Sequence, residues 1–308
     1  MKNKVILAGA SGDLGTRVVQ ALRNKGAEVR CLIRPSTSAG KKSALLARGA
    51  QLREVNFDHP SELARACEGG SVVVSTVSGL EDVIIGFQSK LLAATVAAGV
   101  PRFIPSDFAV DYRMIPAGEN RNLNLRERFR EVVDRTTAVR ATSVLNGAFT
   151  DMLTGVAPFI LYPIRRILCW GDPDQLMDWT TIDDTAEYTA HVALDPSSPR
   201  YLTIAGDELS ARRLAAIMGD ITGERFGILR PGGPELLKRM IGVTKVFVPG
   251  TGKVYPPWQG MQYMHSMYVG RCKFRRLDNA RYPVEFTAAR MLLAEYLAGK
   301  IRKYVPGG

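Results

Sequence analysis

Histidine is scarce in this sequence: His59, His191 and His265 are the only three in 308 residues. They lie far apart and no HExxH occurs, so a histidine-built metal site is not expected. Cysteine is nearly as rare. Cys31, Cys67, Cys169 and Cys272 form no CxxC pair, which excludes a zinc ribbon and a disulfide framework and predicts a reducing, cytoplasmic setting. Long apolar runs are missing as well. No stretch approaches the roughly 18–20 residues of a membrane span. The VILA run behind the first lysines stops at Gly9, short of the roughly 7–15 residues of a secretory h-region. Acidic residues are the minority charge, 30 against 41 Lys and Arg, for a net charge of +11. The excess is dispersed, and its densest groups, Arg121 to Arg130 and Lys300 to Lys303, are mixed or short. An anionic small molecule therefore suits it better than nucleic acid. Neither GxSxG nor GxxxxGKS/T is present, which removes serine-nucleophile hydrolases and P-loop kinases.

What is present begins at the first strand. Val5 to Ala10, VILAGA, is a short apolar run of the kind buried in a parallel sheet. It leads into Gly9-Ala-Ser-Gly12-Asp-Leu-Gly15. Leu14, Val18 and Leu22 then mark one face of a helix over Asp13 to Asn24, ended by Gly26. Glu28 to Arg34 is the next strand. Glycines on a strand-to-helix turn inside a βαβ unit let the backbone turn sharply and approach a pyrophosphate. The helix N-terminus attracts that group through free N–H groups and a partial positive charge. The candidate phosphate-binding residues are therefore Gly9, Ser11, Gly12, Asp13, Leu14 and Gly15. An NAD site places an acid at the end of the second strand. This sequence has Arg34 there, then Ser36 and Thr37, with Lys41 and Lys42 close behind. A guanidinium beside hydroxyls suits a 2′-phosphate, so the predicted cofactor is NADP(H).

The alternation continues. Strands are predicted over Ala50–Phe57, Ser71–Gly79, Arg102–Phe108 and Thr142–Phe149, and helices over Pro60–Cys67, Ile84–Ala98 and Asn124–Thr136. Asp58 or Ser61 would cap the helix at Pro60. In such a sheet Phe57 and Asp58 fall at the adenine edge, and Thr76, Val77, Ser78 and Gly79 at the carboxyl edge beside the cofactor. The predicted fold class is α/β: a Rossmann doubly wound parallel sheet with a smaller C-terminal substrate lobe. Residues 1–150 form the NADP-binding domain. Residues 178–206 return to the sheet, with a strand Asp178–Thr181, a helix opened by Asp183-Asp184 and a strand Arg200–Gly206. Residues 151–177 and 207–308 build the smaller lobe, where Ser210 would cap a helix running to Thr222. Tyr255 to Tyr268, YPPWQGMQYMHSMY, is the candidate substrate wall, since aromatics and methionines give a broad, adaptable apolar surface. Core packing has the same composition.

Taken together, Gly9 to Gly15, Arg34, Arg102-Phe-Ile-Pro-Ser-Asp-Phe108, Asn146-Gly-Ala-Phe149 and Thr180-Thr-Ile-Asp-Asp184 resemble the NmrA-like family. These are atypical short-chain dehydrogenases/reductases, related to the isoflavone and phenylcoumaran benzylic ether reductases. The resemblance covers nearly the whole chain. It implies NADP(H) on the N-terminal lobe and a substrate cleft between lobes, with Pro105, Ser106, Asp107, Phe108, Asn146 and Gly147 around the nicotinamide. In the reductases a lysine on the helix after the fifth strand is the proposed base. Here the matching positions carry Arg126 or Arg128, and no lysine occurs between Lys90 and Lys238. Arginine stays protonated near neutrality and can only orient or stabilise an anion. A proton donor would then be Tyr112, Tyr263, His265 or water. Tyr296-Leu-Ala-Gly-Lys300 matches the YxxxK pair of ordinary short-chain dehydrogenases, but on the last helix, where an exposed terminal helix is the expected reading. The function that results is an NADPH-dependent reductase handing hydride to a small aromatic or conjugated acceptor such as a quinone, enone or imine. The alternative is an NADP(H)-sensing regulator of the NmrA type without turnover. The expected partner is an apolar or aromatic small molecule, neither nucleic acid nor membrane, with a homodimer left open.

Overall fold

The first strand sets the layers. In β1 (Lys4–Ala8), Val5 and Leu7 belong to one apolar core while Ile6 and Ala8 face another, because strand side chains alternate between faces. Helices cover both faces, so both are apolar. The computed structural model describes residues 3–250 and 252–304. After β1 come α1 (Asp13–Asn24), β2 (Glu28–Ile33), α2 (Ala39–Ala47), β3 (Gln51–Glu54), α3 (Pro60–Cys67) and β4 (Val72–Ser75). Next are α4 (Gln88–Ala97), β5 (Arg102–Ile104), α5 (Arg121–Arg135) and β6 (Arg140–Ala141). The strands form one parallel sheet in the order β3-β2-β1-β4-β5-β6. Its winding reverses between β1 and β4: Val5 pairs with Val29 on one side and Val72 on the other. A crevice therefore opens beyond the carboxyl ends of these two strands, the place where such sheets bind ligands.

Several elements differ from expectation. Helix α2 was not expected, because only Leu45 of its nine residues is buried and no apolar stripe marks it. β3 is four residues rather than eight, and its side chains are mostly exposed at the sheet edge. The helix expected from Ile84 opens as a wide π-helical turn, Asp82–Phe87, before α4. His59 occupies the N-cap of α3 without a capping bond, while Asp58 instead pairs with Lys90 at 2.6 Å.

The strand expected over Thr142–Phe149 is broken. After Thr142 the chain leaves β5, and β7 (Ser143–Leu145) pairs in parallel with Tyr201–Thr203. Ala148–Phe149 then pairs with Met177–Thr180, in a separate small sheet completed by Asp207–Leu209. So Tyr201–Thr203 pairs with the continuation of the main sheet, and Met177–Thr180 does not. Gly147 makes the break: its φ is +69°, and a Cβ there would lie 2.3 Å from the Asp178 carbonyl oxygen.

Helix α6 (Ile182–Leu194) packs on α1. Thr181 caps it, its Oγ1 accepting from the Asp184 N–H at 3.0 Å. The two aspartates have other partners: Asp183 pairs with Arg17, and buried Asp184 accepts from the Thr287 N–H. Ser210 caps α7 (Ala211–Thr222) as expected. Helices α8 (Pro234–Phe247), α9 (Pro257–Tyr268) and α10 (Ala289–Leu297) complete the second lobe. Its core holds Tyr112, Phe159, Trp179, Met264 and Tyr268. The expected substrate wall is thus mainly core: α9 buries Trp258, Met264, His265, Met267 and Tyr268. Tyr296 packs its ring on Tyr162, 5.8 Å between centroids, in a structural role. Among the described residues no helix is long and apolar enough to cross a membrane.

Candidate functional site

The crevice is a cavity of about 640 Å³ whose wall begins at Gly9, Ser11, Gly12, Asp13 and Leu14. The glycines of this turn have separate reasons. Gly9 has φ +82°, and a Cβ there would meet the Thr76 carbonyl carbon at 2.7 Å. Gly15 lets α1 lie against the turn, since its Cβ would sit 2.2 Å from the Gly9 carbonyl oxygen. Gly15 supports the turn from behind and is not on the cavity wall. A Cβ on Gly12 would meet only the Gly9 oxygen, at 3.5 Å, so the space beyond it is open. Gly12 is also the N-cap of α1, and no side chain bonds the first-turn amides. Asp13 is held by Arg17 at 2.9 Å.

On the β2 side the wall continues with Arg34, Ser36, Thr37, Ser38, Lys41 and Phe57. The Arg34 guanidinium carbon lies 5.4 Å from the Phe57 ring centroid, a cation–π placement that leaves its N–H groups for another partner. α2 begins here at Ser38, again with no capping side chain, so a second helix N-terminus adds its partial positive charge. Lys42 takes no part, because Glu54 holds it at 2.6 Å. Asp58 is absent from the wall for the reason given above: it is exposed and paired with Lys90.

On the β4 side stand Thr76, Val77 and Ser78, then Ser106 and Phe108 after β5, with Phe149, Arg126, Tyr255 and Tyr304. Thr76 bonds back to the Ala8 carbonyl through Oγ1 at 3.1 Å. Ser106 donates to the Val77 carbonyl at 2.7 Å and receives the Gln88 amide oxygen on its own N–H at 2.9 Å. These bonds fix the ends of β4 and β5 relative to each other. Gly79 turns away, its Cβ position filled by Val83.

Of the two arginines, the structure brings one to the cavity. Arg126 projects from the buried face of α5 and is 9% exposed. Its Nη1 donates to the Asn122 carbonyl at 3.1 Å, and its Nε has no partner among the described residues. Arg128 lies on the exposed face, paired with Glu81 at 2.7 Å. The hydroxyl and imidazole candidates are not on the wall either. Tyr112 is fully buried and donates to Asp107 Oδ2 at 2.9 Å; burial pushes its phenol well above the ordinary range. Burial pushes the Tyr263 phenol up to about 12, with the charge of Arg126 pulling the other way. His265 is buried in the second-lobe core with Nε2 unpartnered, and burial lowers its pKa.

Pro105, Asp107, Asn146 and Gly147 also stay off the wall. Asp107 is a buried carboxyl that accepts from Tyr112 and, at 2.6 Å, from Ser143. Burial raises its pKa against the pull of those bonds and of Arg126 and Arg200. Asn146 is buried with both amide atoms unpartnered, and Gly147 packs on Asp178. Tyr304 was not anticipated, for it sits in no local motif, and Phe149 closes the Asn146-Gly-Ala-Phe149 stretch without having been singled out as a site residue. The Ser36-Thr37-Ser38 run before α2 is the one sequence signal that could have disclosed the second N-terminus.

The charged residues lining the cavity are Asp13, Arg34, Lys41 and Arg126. A glycine turn at an uncapped helix N-terminus, with a free arginine and a lysine and no acid at the end of the second strand, fits a dinucleotide carrying an extra phosphate. The fold and this site define a dinucleotide-binding Rossmann protein. The profile of the NmrA-like family matches residues 1–256, and the chain belongs to that family. The chain is 29% identical over 269 residues to the bifunctional pinoresinol-lariciresinol reductase of Linum perenne, covering 82% of this chain and 85% of that one. In three dimensions it resembles AtPrR2 with NADP+ and (+)-pinoresinol, with a TM-score of 0.81 at 23% identity over 96% of this chain and 99% of the other. It also resembles the leucoanthocyanidin reductase–NADPH complex of Vitis vinifera, with a TM-score of 0.79 at 19% identity over 96% and 99%. At those identities the two structures speak for the fold.

Proposed function

We propose that the protein is an NADPH-dependent reductase acting on a small aromatic or conjugated acceptor, such as a quinone, enone or imine. Its acceptor carries an atom that becomes negative on reduction. The observation that supports this most is Arg126, a buried guanidinium with an unpartnered Nε on a wall shared with Phe108, Phe149 and Tyr255. The relatives' names, with their aromatic lignans, support the same substrate class. NADPH, when bound, supplies the hydride. The turn from Gly9 to Leu14 would hold its pyrophosphate, and Arg34, Ser36 and Lys41 its 2′-phosphate. Phe108 and Phe149 would flank the acceptor's apolar body. Arg126 would stand at the atom gaining charge, a preorganised cation in a low-dielectric wall, and solvent would supply the proton that completes the reduction. No base is needed for an acceptor that is already electrophilic, so base-assisted ether cleavage is not part of this reading.

We assign residues 1–150 and the returning strand Tyr201–Thr203 to cofactor binding and the rest to the substrate lobe. The four cysteines are buried free thiols, which supports a reducing, cytoplasmic setting. The test is NADPH oxidation against a panel of quinones, enones and imines, with Arg126→Ala and Arg128→Ala beside the native protein. Arg126→Ala should lose ~10–1000-fold in kcat/KM, the range for one lost electrostatic donor, and Arg128→Ala should match the native rate. Tight NADPH binding without oxidation by any acceptor would instead support the NADP(H)-sensing regulator.

A further inference from the structure

We infer that the tail segment up to Tyr304 belongs to the cofactor site, and that Tyr304 and Tyr255 form a two-armed clasp across it. This rests on the dinucleotide reading above and adds two residues from outside the Rossmann sheet. Both phenols line the cavity that begins at the glycine turn. They arrive by independent routes, each anchored by a built set of bonds.

Tyr304 is delivered along the 3-10 turn Thr150–Thr154, which follows the strand Ala148–Phe149. Its main-chain N–H donates to Thr154 Oγ1 at 3.0 Å, and Thr154 is 1% exposed and donates in turn to the Asp151 carbonyl at 2.7 Å. One residue earlier, the Lys303 side chain lies over Gly155, where a Cβ would be 3.6 Å from Lys303 Cε. The tail is thus seated on a fixed surface. Tyr304 lines the same cavity as Tyr255 and Asp13, the first residue of α1, and burial raises its phenol.

Tyr255 comes from the segment between α8 and α9. Arg121 at the start of α5 holds that segment through the carbonyls of Lys253 and Val254, at 3.0 and 2.7 Å, and Asn122 bonds the Val254 carbonyl at 3.0 Å. From this anchor the Tyr255 hydroxyl reaches Ser78 Oγ at 3.3 Å. That bond joins the second lobe to the end of β4, both on the cavity wall. In this clasp a dinucleotide filling the crevice would part the bond on entry and lie against both rings.

Stopped-flow fluorescence with NADPH measures the two rate constants. Tyr304→Ala should raise the dissociation rate by ~3–10-fold, the worth of about one hydrogen bond or ring contact, with thermal unfolding of the free protein unchanged. Thr154→Val keeps the ring but removes its anchor, and should move the dissociation rate the same way. Tyr255→Phe should raise the association rate, because the bond to Ser78 is gone. Arg34→Ala serves as the control for the site itself and should weaken binding. If Arg34→Ala weakens binding while the Tyr304, Thr154 and Tyr255 variants all keep native rate constants, the clasp is refuted and the cofactor site stands. If Arg34→Ala has no effect either, the dinucleotide reading fails and the clasp falls with it.

Discussion

Gly12 and Gly15 are three residues apart and answer to different constraints. Gly12 faces open space, so Gly12→Val should leave the fold intact and block the approach of a pyrophosphate. Gly15 packs on the turn itself, and a side chain there would collide with the Gly9 carbonyl oxygen at 2.2 Å. Gly15→Val should therefore unfold or strongly destabilise the N-terminal sheet. Thermal melts of both variants beside an NADPH titration separate the two effects; equal melting losses would show that Gly12 is structural too. Asp151 offers a second residue-scale test. Burial lifts its carboxyl to about 6, with Asp183 adding to the rise and the Ile182 N–H and Arg17 opposing it. An unfolded aspartate ionises near ~4. Between those values the unfolded chain has released a proton that the folded chain still holds, so stability falls as pH rises through this window. Asp151→Asn keeps an acceptor for Ile182 and removes the ionisation. Its stability relative to the native protein should grow by up to ~2–3 kcal/mol from about pH 4 to about pH 7, measured by urea unfolding.

Elements here are joined by side chains whose roles no local pattern declares. Arg102 looks like the first residue of a strand. In the structure it is 5% exposed and donates to the carbonyls of Val192 and Ala193 at the end of α6, at 2.6 and 2.8 Å, and to Ser198. It satisfies carbonyls that a helix C-terminus leaves open. Arg102→Met would keep the apolar stem and strand them, at a cost of about 2–4 kcal/mol. Denaturant unfolding checks this, and a loss under about 0.5 kcal/mol would mean that water replaces the guanidinium. The same scale explains α5. Asn120 caps it by accepting from the Leu123 N–H at 3.2 Å. The helix seats the face carrying Leu123, Leu125, Arg126 and Phe129 inward, and Arg128, two residues on from Arg126 and about 200° round the helix at 3.6 residues per turn, is left outward.

For the molecule as a whole, the dinucleotide should act as a structural ligand, because the cavity is lined by residues from the carboxyl ends of several strands and by Tyr255 and Tyr304 from the second lobe. A ligand that binds only the folded chain adds ~2.7 kcal/mol of stability at a hundredfold excess over Kd. NADPH should raise the melting temperature more than NADH at equal concentration. Arg34→Ala should narrow the difference in binding free energy between the two cofactors by ~1.5–3 kcal/mol, the scale of a charge-assisted hydrogen bond. Calorimetry with both cofactors measures it, and equal affinities in the native protein would refute the role given to Arg34 and Lys41.

The sequence by itself determined the parallel α/β sheet, the turn from Gly9 to Gly15, helix α1 to its terminal residues and the basic end of β2. Those features are local: a run of alternating core residues, a glycine forced by φ or by close approach, a face repeating every three or four residues. Helix α2 escaped for the converse reason, since a surface helix with one buried leucine carries no period to read. Tertiary structure alone decided the rest of the site. Tyr112, Tyr263 and His265 carry reactive groups, yet packing in the second lobe took them out of the cavity. Arg126 and Arg128 have the same chemistry, and only the seating of α5 separated them. Tyr304, far along the chain from the glycine turn, lines the cavity with its backbone N–H bonded to Thr154. Which chemical groups face a ligand depends on how distant segments pack, and short-range spacing does not encode that packing.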